Sequence, residues 1–217
     1  DGIKLDRIKL DGKKIRKIFI AACGSAYHAG AVGKYFIEKY ARIETEIDLA
    51  SEFRYRDPIV GDDCLTVIIS QSGETADSLA ALREAKRLKS RVLAIVNVVD
   101  SIIAREADDV LYTRAGPEIA VATTKGYTTQ LAALYLLGLK LARDRETIPQ
   151  SEYDGITSAV EKLPELLSAF IDEVNPAAQY LAGKYYPAND AYFIGRGADW
   201  SAALEGALKL KEISYIH

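Results

Sequence analysis

Two rhythms of apolar residues alternate along this chain. Lys17–Ala22, Thr66–Ser70, Arg91–Asn97 and Asp109–Thr113 are short runs dominated by apolar, often β-branched residues, and Glu44–Leu49 alternates polar with apolar. Both patterns predict strands. Between them the spacing lengthens to three and four residues, as on one face of a helix. Ala29, Val32, Gly33, Phe36 and Ile37 follow the first strand, and Ala76, Leu79, Ala80, Leu82 and Ala85 follow the third. The helix after the third strand is expected to end near Lys89-Ser90. Ser51–Tyr55 reads as a short helical or turn piece closed by Asp57-Pro58, and Ser101–Ala107 as a short capped helix. A loop over 115–125 leads to a long apolar helix from about Thr128 to Arg143, and a loop of that length in a compact domain usually serves a purpose. Another helix is expected over about Ile156–Val174, with Pro164 as a start or kink. Residues 1–14 alternate charged and apolar positions up to the Asp11-Gly12 turn signal and read as a lead-in.

Strands and helices in strict alternation predict an α/β fold: a parallel sheet covered on both faces, with ligands at the carboxyl ends of its strands. Arg143-Asp144-Arg145-Glu146 with Pro149 marks a boundary, giving a first domain over 1–147 and a second unit over 148–217. In the second unit Asp190–Ile194 reads as a strand running into Gly195-Arg196-Gly197, followed by the helical pattern Ala202, Leu204, Glu205, Leu208 and Lys209. That repeats the design of the first strand and turn and suggests a weak internal duplication. One strand cannot make a domain, so the chain is expected to end early, lean on a partner, or be part of something longer.

The strand over Thr66–Ser70 stops in Gln71-Ser72-Gly73-Glu74-Thr75, and Thr75 or Ser72 can cap the helix that follows. The unpaired N–H groups and positive dipole end of a helix start suit a phosphate, with Ser70, Ser72 and Thr75 as added hydroxyl donors. No lysine or arginine lies in the turn, which favours a monophosphate over a triphosphate. The competing reading is an ordinary capped helix after a buried strand.

Composition narrows the partners. Twenty-eight basic and thirty-one acidic residues give a formal charge of -3 without a long run of either sign, so nucleic acid is not expected. The chain has no apolar run long enough to span a bilayer, and Asp1–Lys4 does not begin a signal peptide, so a cytoplasmic address is expected. Cys23 and Cys64 fit no metal-binding spacing and read as small buried hydrophobes; with His28 and His217 the only histidines, no metal site and no cofactor are expected.

Five blocks in order, Cys23–His28, Ser51–Arg56, Ser70–Asp77, Val121–Lys125 and Ala203–His217, resemble the sugar isomerase half of the glucosamine 6-phosphate synthase family, across nearly the whole chain. The resemblance implies a pair of flavodoxin-like, three-layer αβα sugar isomerase (SIS) domains, the second incomplete here. It implies a reaction in which fructose 6-phosphate accepts ammonia and is isomerised to glucosamine 6-phosphate. By position Ser70, Gln71, Ser72 and Thr75 match the family's phosphate-binding residues, and Ser25, Val121 and Thr123 match positions that touch the sugar. Glu212 matches the base that moves a proton between the first two sugar carbons, with Lys209 a nearby catalytic lysine. From the residues alone, Glu212 reads instead as part of the solvated face of a lysine-rich helix.

The family has a threonine-serine pair where Ser25-Ala26 stands and a serine where Thr123 stands, so one sugar contact is expected to be lost or taken by water. The family's ring-opening histidine and tail lysine lie beyond the matched residues, and the glutaminase domain is absent. Activity is therefore expected to be impaired. A non-catalytic phosphosugar-binding or sensing module is the alternative. A nucleotide-binding domain is weaker, since no G-x-G-x-x-G is present. The exposed flank of an unfinished sheet, like the family itself, points to a homodimer.

Overall fold

The computed structural model describes residues 8–217; the start of the lead-in, including Asp1–Lys4, lies outside the described residues. Strands β1 (Lys17–Ala22), β2 (Glu44–Leu49), β3 (Cys64–Ser70), β4 (Arg91–Val96) and β5 (Asp109–Tyr112) form one sheet in the order β2-β1-β3-β4-β5. Every pairing is parallel. Helices α1 (Gly24–Tyr40), α2 (Ala50–Phe53), α3 (Ala76–Arg87), α4 (Ile102–Glu106) and α5 (Lys125–Arg145) fill the connections, followed by α6 (Gln150–Tyr185) and α7 (Ala198–Ser214).

The period of two along each strand divides the core between the faces of the sheet. Ile18, Ile20, Val67, Ile69, Leu93 and Ile95 point toward α1 and α5, where Ala29, Ile37, Leu134 and Leu137 meet them. Phe19, Ile68, Val92 and Ala94 point the other way, toward Phe53 of α2, Leu82 of α3 and Ile103 of α4. Each of the larger side chains in these layers contributes about 1.5–3 kcal/mol by leaving water. This is the doubly covered α/β architecture expected from the alternation. The described part of the lead-in joins the same core: Ile8 and Leu10 are buried, and the Lys9 N–H donates to buried Asp109 at 2.9 Å.

Four expectations need correction. Helix α5 starts at Lys125, three residues before Thr128, because the Glu118 carboxylate accepts the Gly126 N–H from eight positions upstream. Helix α6 runs unbroken over 36 residues with Pro164 and Pro176 inside it. Its apolar spacing, Val160, Leu163, Leu167, Phe170, Val174, Leu181 and Tyr185, continues through both prolines, each of which removes only one intrahelical hydrogen bond. Asp190–Ile194 is not a strand: no neighbouring strand pairs with it among the described residues, and a strand has no ladder without a partner. Cys64 is buried as expected, but Cys23 is only half-buried, because it sits at the carboxyl edge of the sheet.

Candidate functional site

From β1 the chain crosses outward to β2, then returns past β1 to β3, so the direction of winding reverses between β1 and β3. In open α/β sheets this switch point opens a crevice at the carboxyl ends of the strands. Ala22 and Ile69 are register partners, which sets the turn after β1 beside the turn after β3. A cleft of about 340 Å³ lies there.

One wall is the turn from Ser70 to Thr75. Ser70 Oγ lies 2.9 Å from Thr75 Oγ1 and accepts the Gly73 N–H at 3.1 Å. Ser72 Oγ accepts the Glu74 N–H at 3.1 Å. Thr75 occupies the N-cap position of α3 but makes no side-chain cap, a correction to the expected role: its hydroxyl is engaged by Ser70 instead. Ser72 does not cap α3 either. The first N–H groups of α3 are consequently not closed off by the side chain of Thr75, which leaves them open to an anion. Glu74 points away and accepts the Ile102 N–H at 2.8 Å, fastening the turn to the start of α4.

The opposite wall comes from the 113–124 loop, α5 and α7. Val121 and Thr123 line the cleft, as do Ser25 and Glu212. Thr123 Oγ1 donates to Glu118 at 3.0 Å. Glu118 also accepts the Gly126 N–H at the start of α5, and that bond holds its carboxyl below the usual carboxylate range. Eight of the nine residues singled out from the sequence thus line one cavity; Lys209 is the exception. It stands behind Glu212, ion-paired to it and 3.5 Å from Glu205. Glu212 is exposed, as the solvated-face reading expects, and its side chain also borders the cleft.

Glu205 is the residue that sequence reasoning missed. It is 6% exposed, an unusual place for a carboxylate without partners. Its partners are Ser25 Oγ, which donates at 2.7 Å, and His28 Nδ1 at 2.8 Å. Facing an acceptor-only carboxylate, that ring nitrogen must carry the proton. Glu205 thereby joins α7 to the first turns of α1 and fixes the orientation of the Ser25 hydroxyl. Nearby, burial pushes the Tyr127 phenol up to about 12, with the Glu205 charge adding to it. The helical spacing of Glu205, Lys209 and Glu212 was a visible signal, since all three share one face of α7. Among the described residues no group of three or more His, Cys, Asp or Glu side chains is placed to hold a metal ion. No helix there is long and apolar enough to cross a membrane.

A five-stranded parallel sheet with a hydroxyl-lined cleft at its switch point defines an α/β domain of the SIS type, and the chain belongs to the SIS domain family, whose pattern matches residues 13–140. It is 57% identical, over 99% of its length, to glutamine–fructose-6-phosphate aminotransferase (isomerizing) of Caldanaerobacter subterraneus subsp. tengcongensis, and 55% identical to that of Clostridium tetani. The chain spans 36% of the length of each of these relatives. The C-terminal domain of glucosamine-fructose-6-phosphate aminotransferase from Francisella tularensis superposes with a TM-score of 0.95 at 40% identity, over all of this chain and 61% of that one. A putative phosphosugar isomerase from Silicibacter pomeroyi superposes at 0.79 with 27% identity, over 95% of this chain and 60% of that one.

Proposed function

We propose that this chain is the phosphosugar-binding isomerase portion of a glucosamine 6-phosphate synthase, acting on fructose 6-phosphate and ammonia to give glucosamine 6-phosphate, with the carbonyl oxygen leaving as water. The observation that carries the reading is that the Ser70–Thr75 turn and the Glu212 carboxylate border one cleft. The turn grips the phosphate through amide hydrogens and the hydroxyls of Ser70, Ser72 and Thr75, with Gln71 beside them. Ser25, Val121 and Thr123 contact the sugar. Glu212 removes a proton from the first carbon of the open-chain sugar and returns it to the second, which an enolic intermediate requires of one base. Lys209 positions that carboxylate through its ion pair. The names of the relatives support the substrate, and their greater length supports placing glutamine hydrolysis outside these 217 residues.

On the same reading residues 1–147 form the first SIS domain and residues 148–217 the N-terminal part of a second. A homodimer belongs to the same reading and rests on the family resemblance alone.

Calorimetric titration with fructose 6-phosphate tests the phosphate grip. Replacing Ser72→Ala and Thr75→Ala together is expected to weaken binding by about 1–3 kcal/mol, from lost charge-assisted hydrogen bonds. That corresponds to roughly 5- to 150-fold in Kd. Unchanged affinity would remove the cradle from the mechanism.

A further inference from the structure

The buried face of α5 carries Gln130, Ala133, Leu134, Leu137 and Leu141 at helical spacing, and every one of them is at most 5% exposed. Gln130 is the single polar side chain in that stripe and the one nearest the cleft, whose wall it joins. It is 3% exposed, and its Oε1 is buried without a protein partner. A buried amide oxygen left without a donor costs stability, and an apolar residue continuing the stripe would remove that cost. A polar group held against stability at the wall of a cleft is the pattern of a site that serves a ligand.

We propose that Gln130 is a specificity-determining residue of the cleft, hydrogen-bonding a hydroxyl of the bound sugar. This deepens the phosphosugar reading and rests on it. A carboxamide offers an acceptor and a donor, and a sugar hydroxyl both donates and accepts, so either orientation of the amide finds its complement. An amide can also donate to a phosphate through its NH2, so position in the cleft decides between the two partners. The phosphate's cradle belongs to β3 and α3, whereas Gln130 projects from α5. Ser78, 1% exposed with an unpartnered Oγ, lies on the cradle side of the same cleft, in the first turn of α3. The polar lining therefore divides into a phosphate half and a sugar half.

The test is Gln130→Met, which keeps length and helix preference while deleting the amide. Without ligand, its unfolding midpoint in urea is expected to equal or exceed that of the parent chain. Its affinity for fructose 6-phosphate is expected to fall about tenfold, with the affinity for inorganic phosphate unchanged within about twofold. A purely structural role gives a different result: stability falls, and the two ligands weaken together or not at all. Either outcome overturns the proposal. Should the variant fail to fold, the parent chain still decides, through the side-chain amide resonance of Gln130. That resonance is expected to shift with fructose 6-phosphate and to stay in place with inorganic phosphate; no shift with the sugar ester overturns the proposal. If the parent chain binds neither ligand, the phosphosugar reading falls and Gln130 falls with it. If the Ser72 and Thr75 variant weakens both ligands while Gln130→Met changes neither, Gln130 falls alone.

Discussion

Gly73→Ala is expected to lower stability by about 2–5 kcal/mol and to abolish phosphosugar binding, because two independent penalties meet at one atom. Gly73 has φ +66, in the left-handed region. A side chain there costs about 1–2 kcal/mol whatever the space around it. Space is also lacking: a Cβ would stand 2.0 Å from Ser101 Oγ and 2.5 Å from Ser101 Cβ. Ser101 cannot retreat easily, since it is 2% exposed at the start of α4, and overpacking of this kind adds about 1–3 kcal/mol. The displacement would spread directly into the candidate site. Gly73 gives its N–H to Ser70 and its carbonyl to the Ile103 N–H, so moving it disturbs the hydroxyls of the cradle and the seat of α4 together. For a chain of this size the loss corresponds to a fall in Tm of roughly 4–20 °C. Gly116→Ala is the control. Gly116 has φ +72 but nothing within 4 Å of a built Cβ, so only the conformational penalty applies. Equal losses in the two variants would show that the contact with Ser101 carries no weight.

The contrast between Gly73 and Thr75 shows what the sequence could tell and what it could not. The end of β3, the turn and the start of α3 were legible because a buried apolar run, a small-residue break and a period of 3.6 are local signals. The capping role given to Thr75 was also a local inference, and it failed. The threonine hydroxyl had a second partner five residues back in Ser70. The start of α5 was misplaced for a related reason, since the carboxylate that satisfies its first turn arrives from Glu118 across the 113–124 loop. In α6 Pro164 was read as a start or kink, but an apolar spacing that persists through it and through Pro176 outlasts two missing hydrogen bonds.

Glu205 marks the limit of sequence reading in the candidate site. Its place on the same helical face as Lys209 and Glu212 could be read from spacing, yet its burial depends on Ser25 and His28, which lie 180 and 177 residues away. Only packing of α7 on α1 turns a surface glutamate into the group that orients Ser25. The same packing brings Glu212 to the edge of the cleft. A lysine-rich helix that looks solvated in one dimension therefore lends one side to the cleft in three.

The role of Glu212 makes the sharpest prediction. Gln is nearly isosteric with Glu and keeps hydrogen-bonding capacity, but it cannot accept a proton from carbon. In heavy water the chain is expected to exchange deuterium into the first carbon of fructose 6-phosphate, and Glu212→Gln to slow that exchange by at least about 10²-fold. Affinity for the sugar ester is expected to stay within about threefold, because on the proposed reading the phosphate is held by the opposite wall and ground-state binding does not draw on the base. The separation matters more than the size of the loss. A parallel fall in affinity would mean that Glu212 supports the cleft through its ion pair with Lys209 and does not act on the sugar. Absence of exchange with Glu212 intact would sink the catalytic role for this chain and leave a module that holds a phosphosugar without transforming it. Exchange that survives in Glu212→Gln would move the base to another carboxylate at the cleft, and Glu118, which also lines it, would be the next to replace.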